Sequence, residues 1–304
     1  MKKIAWLISA YTEERTLAAL VDALSSDEAD IYIHIDRRVD DRPFKAAVGK
    51  KDNVFFLEGS SRIKVYWGGY TQIGMQYALI KAAINSGREY ESLSYITGTD
   101  YPLYSNEHII AELTDGKARI KGFDITTEES TVGGVESQKD RLLYYHYQDF
   151  PYKIMWVPFN KLRIPRFSEF KKIDFDFYMG SEYWSLPMAC IRDLMDEWEK
   201  NDLLRKYLKF VFAPSEIWIH TLFFNSKWKK IGEIYPGTEF PAIANLSPLT
   251  YFEYGRTIRV FGLEDYDKLM ASGCLFARKI LVGKSDELIA KIDLFRKKES
   301  ESFL

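Results

Sequence analysis

The first third of the chain alternates apolar and amphipathic segments, and this alternation restricts the fold more than any other feature of the sequence. The apolar segments predict strands at 4–10, 30–36, 53–58 and 92–97. The segments that follow them predict helices at about 13–25, 43–48, 72–85 and 106–113. Strands that are apolar on both faces and alternate with helices are typical of a parallel sheet covered on both sides. We therefore predict an α/β fold with a mostly parallel central sheet flanked by helices.

The ends of these elements carry further signals. Thr12 and Thr71 can cap the first and third helices, and Gly87 can end the third. The second half of the chain is less regular, with strands expected at 118–124 and 180–186 and helices at 188–200, 202–210 and 214–224. Ligands of such sheets bind beyond the carboxyl ends of the strands. Asp36 and Asp100 both fall at such ends and are therefore candidate ligand contacts.

The segment Ala213–Ser226 places one carboxylate, Glu216, in the first turn of a strongly apolar predicted helix. Pro214 suits a helix start, because its missing N–H would have no partner there. A carboxylate at the positive end of a helix dipole is held ionised, as a general base requires. Taken alone, the position of Glu216 is more typical of a carboxylate that only complements the dipole.

Composition agrees with a folded enzyme of 304 residues. The net charge of −2 gives no electrostatic reason to expect a nucleic acid partner. Two cysteines, Cys190 and Cys274, cannot form a disulfide framework, so a reducing cytoplasm is the simpler expectation. The apolar run 4–10 is at the short end for a signal peptide and is read as the first strand, and no apolar stretch reaches eighteen residues.

Six blocks of the sequence share one order with a known family. They are I-Y-I-H-I-D from Ile31, V-Y-W-G-G from Val65, Y-I-T-G-T-D-Y-P-L from Tyr95, G-S-E-Y-W-S-L from Gly180, P-S-E-I from Pro214 and G-C-L-F-A-R-K from Gly273. With these blocks, the chain resembles glycosyltransferase family 14, the core-2 branching β-1,6-N-acetylglucosaminyltransferases and peptide O-xylosyltransferases. The resemblance runs from about residue 4 to residue 282.

The resemblance implies a Rossmann-like fold of the GT-A type, forming one catalytic domain over 1–304. Residues 1–115 would be its nucleotide-binding half and 116–304 its acceptor and catalytic half. It implies an inverting, metal-independent transfer of a sugar of the GlcNAc or xylose class from a UDP-sugar to a hydroxyl of a glycan or lipid-linked glycan. Animal members carry a membrane anchor. This chain starts at the catalytic domain, so we expect a bacterial, cytoplasmic enzyme of surface polysaccharide synthesis, at most peripheral to the membrane.

The expected donor site departs from the usual Asp-x-Asp pair that holds Mn²⁺ or Mg²⁺. Gly98 stands where the first aspartate would be, and one carboxylate, Asp100, makes a poor divalent site. No metal cofactor is therefore expected. An alternative is a metal-dependent transferase that uses Asp174 and Asp176; the pair Asp265 and Asp267 reads as the start of a helix. Another alternative is a non-catalytic glycan-binding protein on the same fold.

The resemblance assigns the leaving diphosphate to Arg256 and Lys279, with Arg278 and Arg259 as neighbours that could substitute for them. It assigns Glu216 as the catalytic base. The residues expected to contact the nucleotide or donor are Ala10, Asp36, Trp67, Gly68 and Asp100. The residues expected to line the acceptor cleft are Glu182, Tyr183, Trp184 and Tyr251.

Four further features of the sequence bear on its interpretation. The family's P-D-E reads Pro214-Ser215-Glu216 here, and its early A-H-K type loop reads Ala10-Tyr11-Thr12, which bears on the donor sugar and on the hydrogen bonds around the base. The segment Phe150–Lys172 mixes aromatic and basic residues. It could be a packed excursion, an acceptor-side flap or a surface that leans on anionic lipid. His34, on a buried strand, reads as a core histidine.

Overall fold

The computed structural model describes residues 3–127, 137–149 and 160–303. Within these residues the strands are β1 (Ile4–Ala10), β2 (Ala29–Ile35), β3 (Val54–Phe56), β4 (Ser92–Thr97), β5 (Asp100–Pro102), β6 (Lys121–Asp124), β7 (Tyr178–Met179), β8 (Trp184–Pro187), β9 (Glu233–Ile234), β10 (Thr250–Phe252) and β11 (Phe276–Arg278). The α-helices are α1 (Glu14–Leu24), α2 (Arg42–Val48), α3 (Thr71–Asn85), α4 (Asn106–Leu113), α5 (Asp140–Leu143), α6 (Phe167–Phe170), α7 (Met188–Lys200), α8 (Asp202–Leu208), α9 (Trp218–Phe224), α10 (Tyr266–Met270) and α11 (Asp286–Phe303).

The central sheet has the strand order β3-β2-β1-β4-β8. Its first four strands are parallel, and β8 pairs antiparallel with β4 at the edge. Two three-stranded sheets accompany it, with the orders β10-β11-β5 and β7-β6-β9. The predicted α/β class with a mostly parallel sheet is confirmed.

Both faces of the central sheet are buried, as the apolar strands predicted. Strand β1 sends Ala5 and Leu7 into a core shared with α3, α7 and α9. It sends Trp6 and Ile8 into a second core shared with α1, α2 and α4. Because alternate residues of a strand point to opposite faces, one apolar run supplies both cores. Because β1, β2 and β4 are parallel, their carboxyl ends lie at one edge of the sheet.

Several predicted boundaries need correction. Helix α1 does not use Thr12 as its cap: the residue before it is Glu13, whose left-handed φ of 63° turns the chain, and no side-chain cap bond forms there. The strands predicted at 118–124 and 180–186 are shorter, at Lys121–Asp124 and Trp184–Pro187. The helix predicted at 214–224 is a 3₁₀ turn over Pro214–Glu216 followed by α9. Among the described residues, none of the helices is long and apolar enough to cross a membrane.

Candidate active site

A cavity of about 700 Å³ opens at the carboxyl ends of the parallel strands. Ala10 at the end of β1, Asp36 just after β2 and Thr97 at the end of β4 all line it. Its volume is that of a small-molecule site, which spans about 300–1,000 Å³. The cavity therefore lies at the edge of the sheet where the sequence predicted a ligand site.

Asp36 organises one wall of this cavity. Its buried carboxylate accepts hydrogen bonds from the backbone N–H and the guanidinium of Arg38, the latter at 2.7 Å. It also accepts from the N–H of Val65 at 3.3 Å. Both Arg38 and Val65 line the cavity, so this carboxylate joins the end of β2 to the loop that leads into the W-G-G motif.

Glu216 lines the same cavity, from the 3₁₀ turn before α9. Its Oε2 accepts a hydrogen bond from Nη1 of Arg141 at 2.7 Å, and the two side chains are 23% and 19% exposed. The guanidinium of Arg141 also lies 5.1 Å from the ring centre of Phe212. The sequence predicted that the dipole of a long helix would hold Glu216 ionised. In the structure, the partner of Glu216 is instead the side chain of Arg141. Sequence reasoning missed Arg141, which lies 75 positions away and belongs to no recognisable motif.

A second carboxylate, Glu182, lines the same cavity. Burial raises the pKa of Glu182 to about 7; the charges of Glu216 and Asp100 raise it further, and Arg278 opposes them. Neighbouring carboxylates with different environments are typical of sites that separate an acid from a base. Glu182 is thus placed to exchange a proton, or to donate a hydrogen bond, near neutral pH.

The cationic side of the cavity is formed by Arg278 and Lys279, at the end of β11. Burial lowers the pKa of Lys279, and the neighbouring charge of Arg278 lowers it further. The guanidinium of Arg278 lies 5.4 Å from the ring centre of Tyr183, which also lines the cavity. Two cations that are consecutive in the sequence therefore line the same cavity as Asp36 and Glu216.

Asp100 contacts Arg278 rather than the cavity itself. It is fully buried and does not line the cavity, which corrects the expectation that it contacts the ligand. Its carboxylate accepts from the N–H of Thr97 at 2.9 Å and lies 3.4 Å from Nη1 of Arg278. Burial raises the pKa of Asp100 to about 6, and Arg278 opposes that shift. The pairing of β5 with β11 sets Asp100 directly opposite Arg278.

Trp184, Tyr251 and Arg256 do not line the cavity either. Trp184 is fully buried and stacks on Tyr95, because β8 begins at Trp184 and turns its ring into the core. Tyr251 packs against Phe261 and donates its hydroxyl to Glu253. Arg256 is exposed on the loop between Tyr254 and Ile258, two residues that do line the cavity. These placements correct the acceptor-cleft positions expected for Trp184 and Tyr251.

Aromatic rings border the cavity opening. Tyr11, Trp67 and Tyr254 line the cavity and are each more than half exposed. Trp67 packs edge-on against Phe212, with ring centres 5.4 Å apart. Gly68 does not line the cavity; it has a φ of +73°, and a Cβ there would lie 2.8 Å from Phe212, so only glycine fits this approach. Exposed aromatic rings with a polar edge are suited to stacking on sugars.

Further observations concern the residues that were considered as metal ligands. A Cβ at Gly98 would lie 2.8 Å from Cβ of Ala10, so the end of β1 occupies the space of a side chain there. Asp174 and Asp176 are exposed and outside the cavity, and Asp265 pairs with Arg259 and Lys268. Within 3–127, 137–149 and 160–303, no group of three or more His, Cys, Asp or Glu is arranged to hold a metal.

His34 borders the cavity from β2 and is buried. Its Nε2 accepts the N–H of Ile63 at 2.8 Å, and burial lowers its pKa to about 4. His34 is therefore buried, as expected of a core histidine, but it also borders the cavity, which the sequence did not predict.

The sequence profile of the Core-2/I-Branching enzyme family matches residues 4–232. The match covers well over half of the chain, so this protein belongs to the Core-2/I-Branching enzyme family. It is a glycosyltransferase, as the resemblance predicted. No curated protein matches significantly.

Solved structures give distant similarities. A 4-diphosphocytidyl-2C-methyl-D-erythritol synthase from Anaerococcus prevotii is 14% identical, with a TM-score of 0.38, over 80% of this chain and 93% of that one. A protein from Desulfovibrio desulfuricans described as a nucleotide-diphospho-sugar transferase is 16% identical, with a TM-score of 0.27, over 40% of this chain and 59% of that one. At these scores the similarities carry no argument about function.

Proposed function

We propose that this glycosyltransferase moves a sugar of the GlcNAc or xylose class from a UDP-sugar to a hydroxyl of a glycan or lipid-linked glycan. We propose further that the reaction inverts the anomeric centre without a metal, and that it serves bacterial surface polysaccharide synthesis in the cytoplasm. One observation carries the proposal: Glu216 lines the same cavity as Arg278 and Lys279. A base for the attacking hydroxyl and cations for the leaving diphosphate thus share one space.

In the proposed step, the Glu216 carboxylate takes the proton of the acceptor hydroxyl. The acceptor oxygen attacks the anomeric carbon from the face opposite the diphosphate. The bond from that carbon to the diphosphate oxygen breaks, and its electron pair leaves with UDP. A single displacement of this kind inverts the anomeric centre. Arg278 and Lys279 stabilise the negative charge that develops on the leaving group.

Arg141 supports the base in this scheme. Its 2.7 Å hydrogen bond fixes one oxygen of Glu216, so the other is free to meet the acceptor hydroxyl. A base must be held within hydrogen-bond reach of the proton that it takes. Arg141 is therefore proposed as a positioning residue.

The other residues that line the cavity are proposed to bind the substrates. Asp36 and Arg38, near the carboxyl end of β2, would bind the nucleotide, and Ala10 would allow it to approach β1. Glu182 and Tyr183 would bind the acceptor beside Glu216, with Tyr254 stacking on a sugar ring. Trp67 would contact the donor.

The proposal of metal independence rests on Gly98. The carboxylate usual at this position is missing, and two cations face the space where the diphosphate would lie. A metal-dependent reaction through Asp174 and Asp176 is the alternative, although both side chains lie outside the cavity. Measuring transfer in excess EDTA distinguishes the metal-independent reaction from the metal-dependent one. Under the proposal, transfer continues in EDTA.

A thermal-shift screen of nucleotide sugars tests the donor class directly. A ligand present at a hundred times its dissociation constant raises the free energy of unfolding by about 2.7 kcal/mol. We expect UDP-GlcNAc or UDP-xylose to stabilise the protein in the presence of EDTA. Stabilisation by none of the UDP-sugars would overturn the donor assignment. Stabilisation by free glycans alone would favour the non-catalytic glycan-binding alternative.

A further inference from the structure

Residues 160–172 form an exposed surface that is both apolar and basic. Leu162 is 67% exposed, Phe167 48% and Ile164 36%. Eleven large hydrophobic side chains are exposed within the described residues, and three of them fall within the six positions 162–167. Such concentration distinguishes a functional patch from the scattered apolar residues of an ordinary surface. We call Leu162, Ile164, Phe167, Lys161, Lys171 and Lys172 the docking surface.

The backbone beneath the docking surface is firmly held. The guanidinium of Arg166 is buried, lies 3.8 Å from the ring centre of Tyr207 and donates to its carbonyl oxygen at 2.9 Å. The carbonyl oxygen of Ile164 accepts the N–H of Tyr145 at 2.9 Å. The inward-pointing arginine therefore fixes the segment, and the apolar chains on either side of it are left facing solvent.

The charge of the docking surface is opposite to that of the chain. Residues 160–172 contain five basic residues and one acidic residue, while the whole chain has a net charge of −2. Lys161, Lys171 and Lys172 are exposed, and no ion pair within the described part of the chain involves them. Three positive charges are thus free to meet a negatively charged partner.

The docking surface adjoins the active-site cavity. Arg163, within the same segment, forms an ion pair with Asp140 at 2.7 Å. The next residue after Asp140 is Arg141, which lines the cavity and bonds to Glu216. Tyr144 pairs with Pro165 and packs against Phe167, with ring centres 5.9 Å apart. One short helix, α5, therefore separates the docking surface from the proposed base.

We propose that the docking surface binds an anionic lipid bilayer, with Leu162 and Phe167 entering the interface and the three lysines contacting the headgroups. Apolar side chains flanked by lysine are the chemistry that peripheral membrane binding uses. Binding to a nucleic acid would not bury the exposed leucine and isoleucine side chains. Lipid docking itself does not depend on the proposed transfer. Its consequence, delivery of a lipid-linked acceptor to Glu216, rests on the proposed function.

Sedimentation with sucrose-loaded vesicles tests the proposal on the full chain, without any donor or acceptor. We expect binding to vesicles of phosphatidylcholine and phosphatidylglycerol in equal parts, and little binding to pure phosphatidylcholine. Binding should weaken between about 0.1 M and about 1 M salt, because the screening length falls from about 10 Å to about 3 Å. The double variants Leu162→Ser/Phe167→Ser and Lys171→Glu/Lys172→Glu should each lower the vesicle affinity by about tenfold or more.

Matched control substitutions lie on α11. Leu294→Ser is an exposed leucine change, and Lys297→Glu/Lys298→Glu reverses an adjacent exposed lysine pair. These controls should bind vesicles as the unchanged protein does, and thermal melting should show that all variants are folded. Equal loss in the controls, equal binding to both lipid mixtures, or no binding would each overturn the proposal. Light scattering that shows a dimer lost only in the docking-surface variants would also overturn it, in favour of self-association.

Discussion

Replacing Glu216 with Gln separates a catalytic role from a structural one. The amide keeps the shape and can still accept the hydrogen bond from Arg141, but it cannot take a proton near neutral pH. Loss of a general base lowers turnover by about 10²–10⁴-fold. We therefore expect kcat to fall by that factor, while the affinity for the donor changes by no more than a few-fold.

The stability cost of the same change follows from the exposure of the ion pair. Exposed pairs contribute up to about 1 kcal/mol, and breaking a buried pair costs about 3–5 kcal/mol. With side chains 23% and 19% exposed, the pair of Glu216 and Arg141 is nearer the first case, so we expect a loss of about 1 kcal/mol. In a chain of this size, that lowers Tm by no more than about 4 °C.

Arg141→Gln is the matched control, because it breaks the same ion pair and leaves the carboxylate. Both variants should lose similar stability, but Arg141→Gln should keep considerably more activity. The assay is UDP release from the nucleotide sugar that best stabilises the protein, in the presence of its acceptor, with melting curves in parallel. Near-normal turnover in folded Glu216→Gln would refute the base assignment, and Glu182 would be tested next.

Further predictions concern the cations, the metal and the second carboxylate. Lys279→Ala should weaken UDP binding about tenfold to a hundredfold by calorimetry and leave UMP binding nearly unchanged, since a charge-assisted bond contributes about 1.5–3 kcal/mol; equal losses for both nucleotides would refute the assignment. Arg256→Ala should have a smaller effect than Lys279→Ala in the same titration, because Arg256 lies outside the cavity; a larger one would mean that its loop closes over UDP. Activity should survive excess EDTA, and a loss of more than about tenfold restored by Mn²⁺, roughly 1.4 kcal/mol, would contradict metal independence. Because the pKa of Glu182 is raised to about 7, its contribution favours the folded state at low pH and is lost as pH rises from about 4.5 to about 7. Glu182→Gln should flatten that part of the Tm–pH curve, and an unchanged curve would show that Glu182 titrates normally.

Local sequence patterns predicted a helix or strand well where the residues of that helix or strand themselves mark its bounds. Helix α4 was predicted at its observed bounds from its regular apolar face. In the structure Ser105 caps this helix by accepting the N–H of His108, a signal that the prediction did not use. The helix at 214–224 was predicted too long. The left-handed φ of 47° at Ala213 and the 3₁₀ turn after it depend on packing, which residue preferences do not reveal.

The site was predictable only in part, because its contacts join distant positions. Glu216, Lys279 and Asp36 were found through motifs and strand ends, and the structure brings all three to one cavity. The partner of Glu216 was not found, since nothing local marks Arg141. The role of Asp100 was misplaced for a similar reason. Its contact with Arg278 spans 178 positions and depends on how β5 pairs with β11, which no single segment specifies.

The close approach of Gly98 to Ala10 limits which residues position 98 can hold. An aspartate at position 98 would drive its Cβ against that of Ala10, which lies only 2.8 Å away. The end of β1 is held on both sides by parallel neighbours, so it has little freedom to move aside. A second change, Ala10→Gly, would be needed to open the space. The two positions are thus coupled. If the proposed metal-independent mechanism holds, a metal-binding aspartate at position 98 would require a paired substitution rather than a single one.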